Sequence, residues 1–185
     1  TVQQRLHEVR VESTGLRTLT VRFPPGQTFT VPTIQQLFDL TGRSAIVTGG
    51  SRGLGREIAE GLAEAGARLM LCARREKWLT ESLTEMRAAG MTVEGLLCDV
   101  ANPDQVQQVV DTTIQTYGGV DILVNNAGVS WGERPEAMSL DKWRHVMDAN
   151  LTGAFLFSQA AGRDMLKRQK GVIINIGSIA ATVSW

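Results

Sequence analysis

Three glycines in the sequence Thr-Gly-Gly-Ser-Arg-Gly-Leu-Gly form the clearest candidate binding site in this chain. Gly49, Gly53 and Gly55 follow a short apolar run and precede apolar residues at helical spacing. Glycine adopts positive φ and lets a ligand approach the backbone closely, and the N-terminus of a helix attracts phosphate groups. The pattern therefore predicts a strand, a phosphate-binding turn and a helix, although many such turns contain glycines for geometric reasons alone.

A second candidate binding site is the segment Asp121–Gly128, with the sequence Asp-Ile-Leu-Val-Asn-Asn-Ala-Gly. It ends an apolar run, and ligands of open α/β sheets lie where the strands end. Asn125 and Asn126 can join neighbouring strand ends through side-chain hydrogen bonds, and Ala127 and Gly128 leave space for a ring. Alternatively, the two asparagines only mark a loop.

The elements that must position these residues alternate regularly from Ala45 onward. Short apolar runs predict strands; they cover residues 45–47, 69–72, 93–98, 122–124 and 172–176. Helical spacing separates them, around residues 54–65, 78–86 and 106–117 and from about 139 to 170, with a break near 150–153. Short connections between strand and helix require right-handed crossovers. The predicted fold class is therefore α/β, with a doubly wound parallel sheet.

Residues 1–40 differ from this pattern and are predicted to be an N-terminal extension and lead-in to a domain covering 41–185. Apolar and polar residues alternate from Val9 to Val31 around the turn signal Pro24-Pro25-Gly26. This predicts one or two strands flanking a loop. A loosely packed extension is the alternative.

Composition excludes several classes of protein. Lys and Arg total 19 and Asp and Glu total 19, so nothing favours nucleic acid as a partner, and no apolar stretch is long enough for a membrane span. Cys72 and Cys98 each end an apolar run, which favours buried free thiols over a disulfide. The His and Cys residues form no metal-ligand pattern. The sequence starts without the features of a signal peptide, which predicts a cytoplasmic protein.

The two motifs in this order, together with Asn150 and the pair Gly177-Ser178, resemble the short-chain dehydrogenase/reductase family over about residues 40–185. Within it, the chain resembles 3-oxoacyl-carrier-protein reductases and gluconate 5-dehydrogenases. The resemblance implies a Rossmann fold and hydride transfer between an alcohol and a carbonyl of a small-molecule substrate, with NAD or NADP. It also implies a homo-oligomer, a dimer or tetramer, to whose interface the helix after Asn150 contributes.

Site residues follow from the resemblance position by position. Ser178 is expected to hydrogen-bond the substrate oxygen, and Asn150 to hold a water molecule of a proton relay. An ordinary turn residue and a helix cap are the respective alternatives. The expected cofactor-binding residues are Gly49, Ser51, Arg52, Gly53, Leu54, Gly55, Arg74, Asp99, Val100, Asn126, Ala127 and Gly128.

Charge predicts which dinucleotide binds. An NAD site places an acidic residue about 20 residues after the glycines, whereas an NADP site uses arginine for the 2′-phosphate. Here the second apolar run ends in Ala-Arg-Arg, and no carboxylate occurs before Glu76. Arg74 and Arg52 can converge on one phosphate, which predicts NADP(H), with NAD less favoured. Two solvated surface arginines are the alternative.

The proton donor of the family is missing from this sequence. The family uses the tyrosine of a Tyr-x-x-x-Lys motif, whose lysine lowers the tyrosine pKa. Tyr117 is the single tyrosine and Asp121 stands where the lysine would be. We expect that the C-terminal part of the fold is missing, that the strand around Ile174 is an unprotected edge and that this chain alone is inactive. A non-catalytic NADP-binding or oligomer-forming module is the alternative.

Overall fold

The structure is a computed structural model, and it describes residues 10–13, 19–23 and 27–178. The chain divides into two compact units, Thr1–Asp39 and Leu40–Trp185. In the described residues, no helix has the length and apolar character needed to cross a membrane, and no cluster of His, Cys, Asp and Glu could hold a metal ion.

The first unit contains a small antiparallel sheet. Its strands are β1 (Arg10–Ser13), β2 (Leu19–Phe23) and β3 (Gln27–Val31), in the order β1-β2-β3. The prediction of one or two strands was therefore wrong in number, because β1 has a single apolar residue and is defined by pairing with β2 rather than by its own pattern. The predicted turn at Pro24-Pro25-Gly26, like Val9, lies outside the described residues.

A short helix, α1 (Ile34–Leu37), follows in the same unit. Thr33 and Gln36 form a capping box, in which each side chain accepts a hydrogen bond from the backbone N–H of the other. This reciprocal arrangement satisfies two backbone donors at the start of the helix.

The second unit is a five-stranded parallel sheet with helices on both faces, in the strand order β6-β5-β4-β7-β8. The strands are β4 (Ser44–Thr48), β5 (Arg68–Ala73), β6 (Val93–Leu97), β7 (Ile122–Asn125) and β8 (Val172–Asn175). The helices are α2 (Gly53–Glu64), α3 (Glu76–Ala88), α4 (Pro103–Tyr117), α5 (Leu140–Met147) and α6 (Gly153–Arg168). The predicted doubly wound Rossmann architecture is confirmed.

The apolar runs form strands because both faces of the sheet are covered. Successive side chains of a strand point to opposite faces. Ile46 accordingly packs in the cluster formed with α4 and α6, while Ala45 and Val47 pack in the cluster formed with α2 and α3. All of β4 is buried, which places the glycine turn that follows it at the centre of the sheet.

Helix boundaries follow local signals. The Asn102 side chain accepts hydrogen bonds from Asp104 N and Gln105 N, and Pro103 is the first residue of α4, as the sequence predicts. The break predicted near residues 150–153 is a π-helical turn, Asp148–Thr152, between α5 and α6. Such turns occur frequently at functional sites.

The strand β8 lies at the edge of the sheet and pairs with β7. All four of its residues are exposed, including Val172 at 55% and Ile174 at 42%. The expectation of an unprotected edge around Ile174 is therefore confirmed for the described residues, because apolar side chains of a central parallel strand would be covered.

Candidate cofactor site

A cleft of about 510 Å³ lies at the carboxyl ends of β4, β5, β6 and β7. Residues that follow each of these strands contribute to its walls. The predicted cofactor-binding residues that line it are Gly49, Ser51, Arg52, Leu54, Gly55, Arg74, Asp99, Val100, Asn126, Ala127 and Gly128. Gly53 stands outside this lining set, in the turn at the start of α2. The structure thus brings the predicted residues together, and their binding roles remain predictions.

Several lining residues were not predicted from the sequence. They are Cys72, Ala73, Arg75, Trp78, Cys98, Val129, Ser130 and Ala149. Cys72, Ala73 and Cys98 could have been found from their position at strand ends. The signal for Arg75 and Trp78 was weaker, because Arg75 is the residue before α3 and Trp78 lies in the first turn of that helix, beyond the end of β5.

The glycine turn lets α2 approach the sheet closely. Gly49 has φ +65°, and a Cβ built on it would lie 3.0 Å from the Cα of Ala127. A Cβ on Gly55 would lie 2.3 Å from Nδ2 of Asn126 and 2.4 Å from the Gly49 carbonyl oxygen. No side chain caps the N-terminus of α2. Its first backbone N–H groups are consequently free to bind an anionic ligand.

The Asn126 side chain and Thr48 join the ends of β4 and β7. Thr48 Oγ1 accepts hydrogen bonds of 2.9 Å from both Asn126 N and Ala127 N. Asn126 Nδ2 donates to the Thr48 carbonyl at 3.0 Å. The expected connection between strand ends through asparagine is therefore confirmed, and it fixes the backbone beside the cleft.

Asn125 makes the corresponding connection on the other side of β7. Its Nδ2 donates to Asn175 Oδ1 at 2.9 Å and to Ser158 Oγ at 3.0 Å. Asn175 ends β8 and Ser158 belongs to α6, so Asn125 joins two strands and the helix that covers them.

Asn150 lies in the π-helical turn, and its side chain is occupied by the backbone of Val129. Asn150 Nδ2 donates to the Val129 carbonyl at 2.9 Å, and Oδ1 accepts from Val129 N at 2.8 Å. Val129 lines the cleft whereas Asn150 does not. The observed role of the Asn150 amide is to hold the cleft wall, and the predicted water in a proton relay remains untested.

Ser178 is exposed and follows the end of β8 by three residues. Because β8 is parallel to its neighbours, this position is on the same edge of the sheet as the cleft. Ser178 does not line the cleft, so its predicted contact with a substrate oxygen also remains a prediction.

Asp99 follows β6 and lines the cleft with Val100. Its Oδ1 accepts a hydrogen bond of 3.0 Å from Ala101 N, and its own N–H donates to Gln105 Oε1 at 2.7 Å. A Cβ on Gly153 would lie 2.6 Å from Val100. The start of α6 thus packs closely against the loop that positions Asp99.

Positive charge collects on one side of the cleft. Arg52, Arg74 and Arg75 all line it and are exposed. In the described part of the chain, no carboxylate lies within 4.0 Å of any of the three guanidinium groups, although five other basic side chains form such pairs. The three arginines are therefore available to an anionic ligand.

The buried thiols of the cleft floor form a hydrogen-bonded pair. Both Cys72 and Cys98 are free cysteines, as predicted. The hydrogen bond with Cys98 and complete burial raise the pKa of the Cys72 thiol well above its ordinary value. Cys72 therefore remains protonated at neutral pH and is a poor nucleophile.

Tyr117 lies at the opposite edge of the sheet from the cleft. It ends α4, and its hydroxyl donates to the carbonyl of Leu69, near the start of β5, at 2.9 Å. Burial, with a smaller contribution from Glu94, raises the pKa of Tyr117 to about 12. Its position at the opposite edge of the sheet confirms that Tyr117 cannot donate a proton in the cleft.

Comparison with known proteins identifies the family of this fold. Residues 43–185 match the family described as short chain dehydrogenase. The chain is 39% identical over 145 residues to the 3-oxoacyl-(acyl-carrier-protein) reductase FabG of Vibrio cholerae, an alignment that covers 78% of this chain and 58% of that protein. It is 38% identical over 142 residues to the 3-oxoacyl-(acyl-carrier-protein) reductase of Synechocystis, and this alignment covers 76% of this chain and 58% of that protein.

A solved structure agrees with these matches. A short-chain type dehydrogenase/reductase from Mycobacterium marinum superposes with a TM-score of 0.78 at 36% identity, covering 82% of this chain and 62% of that one. The chain spans about half the length of the curated relatives it matches, between 50% and 58% for the first of them. With a family match over most of its length, this chain belongs to the short-chain dehydrogenase/reductase family of oxidoreductases.

Proposed function

We propose that this chain is the cofactor-binding part of an NADP(H)-dependent oxidoreductase that interconverts a carbonyl and a secondary alcohol. The observation that carries the proposal is the group of three arginines beside the cleft, none of them paired with a carboxylate among the described residues. A 2′-phosphate would supply the missing negative charge, whereas the 2′-hydroxyl of NAD would leave the guanidinium groups without a partner.

The residues present fit such a dinucleotide. A Cβ on Gly55 would fill the space between the turn and Asn126, and the uncapped start of α2 offers N–H donors to a diphosphate. Arg52 and Arg74 would hold the 2′-phosphate, Asp99 the adenine side, and Asn126 to Gly128 the adenosine side of the groove. When bound, NADPH supplies the hydride for reduction.

The chemistry at the substrate depends on residues outside the cleft walls. In the proposed reaction, Ser178 donates a hydrogen bond to the substrate oxygen and Asn150 supports a proton relay by fixing its turn against Val129. Tyr117 is at the opposite edge of the sheet, so we propose that the proton donor lies outside this chain and that the chain alone does not turn over. A 3-oxoacyl thioester is the first substrate to test, given the names of the relatives.

A homo-oligomer, dimer or tetramer, and a cytoplasmic location complete the proposal. Trp143 lies in α5, Leu151 in the π-helical turn and Phe155 in α6, and they are 55%, 60% and 57% exposed. Their spacing of eight and four residues places apolar groups where a second copy could cover them. Two free thiols suit a reducing compartment. A monomer in sedimentation of the intact protein would contradict the oligomer.

The test of cofactor choice is Arg74→Asp in the intact protein. We expect the ratio of NADPH to NADH affinity, measured by isothermal titration calorimetry, to fall at least tenfold, because a charge-assisted hydrogen bond is worth about 1.5–3 kcal/mol. Arg163→Asp makes the same charge change on the exposed side of α6 and should leave the ratio unaltered. An unchanged ratio in Arg74→Asp would refute NADP preference, and binding without turnover of any carbonyl substrate would favour a non-catalytic module.

A further inference from the structure

One aromatic side chain beside the cleft contacts two of its three arginines. Trp78 lies in the first turn of α3, and its ring centroid is 3.7 Å from Cζ of Arg52 and 4.2 Å from Cζ of Arg75. Arg52 belongs to the glycine turn after β4, while Arg75 directly precedes α3. The indole therefore joins two separate segments of the cleft wall.

The contacts of Trp78 offset the electrostatic repulsion between the arginine side chains beside the cleft. Arg52, Arg74 and Arg75 bring like charges to one wall of the cleft, and no carboxylate among the described residues pairs with them. The face of an indole ring carries partial negative charge and attracts guanidinium groups. Trp78 thus stabilises two neighbouring cations without introducing a negatively charged group.

The chemical difference from an ion pair is important for binding. A carboxylate partner would use the N–H donors of the guanidinium, whereas stacking uses its face and leaves the donors in the plane free. Stacking also restricts a long side chain before a ligand arrives, which lowers the entropy lost on binding. Trp78 is half-buried, so its ring is itself held against the protein while remaining part of the cleft wall.

We propose that Trp78 is a positioning residue that holds Arg52 and Arg75 for a 2′-phosphate, and that it thereby contributes to selecting NADP(H) over NAD(H). This rests on the proposed function, in which the cleft binds the dinucleotide, and extends it to two residues that the sequence did not assign. Arg75 becomes the third cation of the phosphate subsite, and Trp78 is the group that orders it.

The experiment measures binding of two probes that differ at the 2′ position, adenosine 2′,5′-bisphosphate and 5′-AMP, by isothermal titration calorimetry of the intact protein. Trp78→Leu should weaken binding of the bisphosphate about five- to thirtyfold, the equivalent of two cation–π contacts, and leave 5′-AMP unaffected. Trp78→Phe keeps an aromatic face and should retain most of the affinity. Trp131→Leu removes a tryptophan that also contacts a cation, Lys142 Nζ at 3.7 Å from its ring centroid, but lies outside the cleft lining, and it should change the affinity for neither probe.

Arg75→Gln tests the same arrangement without altering the ring. It should reduce the affinity for the bisphosphate. Trp78→Leu should then lower this affinity by a smaller factor in the Arg75→Gln protein than in the wild type, because one of the two contacts of Trp78 is already lost. Circular dichroism monitors folding of each variant, and Trp78→Phe with Arg75→Gln decides the matter if Trp78→Leu does not fold.

The outcomes separate this inference from the cofactor proposal. If the wild-type protein binds the bisphosphate no better than 5′-AMP, the proposed NADP preference is wrong, and the proposed positioning role of Trp78 is wrong as well. If the wild type prefers the bisphosphate and folded Trp78→Leu keeps the same preference, the positioning role alone is refuted. Equal weakening of both probes would also overturn it, since Trp78 would then support the adenosine rather than the 2′-phosphate.

Discussion

Gly55→Ala adds one methyl group at the point where α2 comes closest to the sheet. The new Cβ would lie 2.3 Å from Nδ2 of Asn126 and 2.4 Å from the Gly49 carbonyl oxygen, well inside the ordinary contact distance of about 3.5 Å. The Asn126 side chain can rotate away only by losing its 3.0 Å hydrogen bond to the Thr48 carbonyl. The Gly49 oxygen belongs to the backbone, so α2 or the turn must move.

Two opposing effects determine the size of the change. Alanine is the better helix former by about 1 kcal/mol, whereas overpacking in a close contact costs about 1–3 kcal/mol and the lost hydrogen bond about 1 kcal/mol. We expect Gly55→Ala to lower the free energy of unfolding by about 2 kcal/mol. Displacement of the turn should also weaken dinucleotide binding.

Gly61→Ala is the matched control, because it is in the same helix. A Cβ on Gly61 would meet nothing within 4 Å, and the residue is exposed. This variant should raise the free energy of unfolding by about 0.5–1 kcal/mol. Urea denaturation followed by circular dichroism measures both variants, with ADP titration as a second measurement. If Gly55→Ala proves as stable as Gly61→Ala and binds ADP normally, the close approach does not constrain this position.

Two further predictions concern the amino edge of the sheet. Asp121→Ala removes a buried carboxylate that accepts hydrogen bonds from Arg168 Nη1 and Lys170 Nζ at 3.0 Å and from Ser44 N at 3.1 Å. Urea denaturation should show that the free energy of unfolding falls by about 3 kcal/mol. A decrease of less than about 0.5 kcal/mol would contradict a stabilising role of this network. Absorbance titration should give Tyr117 a midpoint near 12 when folded and near 10 in urea, with Tyr117→Phe as the blank. Because the folded pKa is the higher one, stability should fall as pH rises from about 10 to about 12; a folded midpoint near 10 would refute the burial of the phenol.

The elements of the sheet were predictable because their signals are local. The run 45–47 became Ser44–Thr48, and the break near 150–153 became the π-helical turn Asp148–Thr152. A strand buried on both faces needs a continuous apolar run, and glycines, asparagine and proline mark where such runs must end. Parallel strands joined by crossovers end at one edge of the sheet, and ligands of open α/β sheets bind there, so the position of the cleft could be inferred before any contact was known.

Contacts between loops could not be predicted in this way. The water molecule predicted at Asn150 remains a prediction, whereas the two hydrogen bonds that its amide forms with the backbone of Val129, 21 residues earlier in the chain, had no signal in the sequence. Trp78 was predicted in a helix and Arg75 at the end of a strand, and the contacts of Trp78 with Arg75 and Arg52 depend on where α3 begins relative to the glycine turn. Spacing along one element carries no information about such pairs, because they form where separate connections meet.

Among the described residues, charged side chains at the two edges of the sheet differ in their partners. At the amino edge, Asp121 is buried and is matched by Arg168 and Lys170. At the carboxyl edge, Arg52 and Arg75 lie against the ring of Trp78, and no carboxylate among the described residues pairs with them. Unpaired like charges lower the stability of a folded protein, so a chain that pairs its charges at one edge gains nothing in stability from leaving them unpaired at the other. The proposed dinucleotide would account for the difference, because its 2′-phosphate would supply a counter-charge that the described residues do not place beside these arginines.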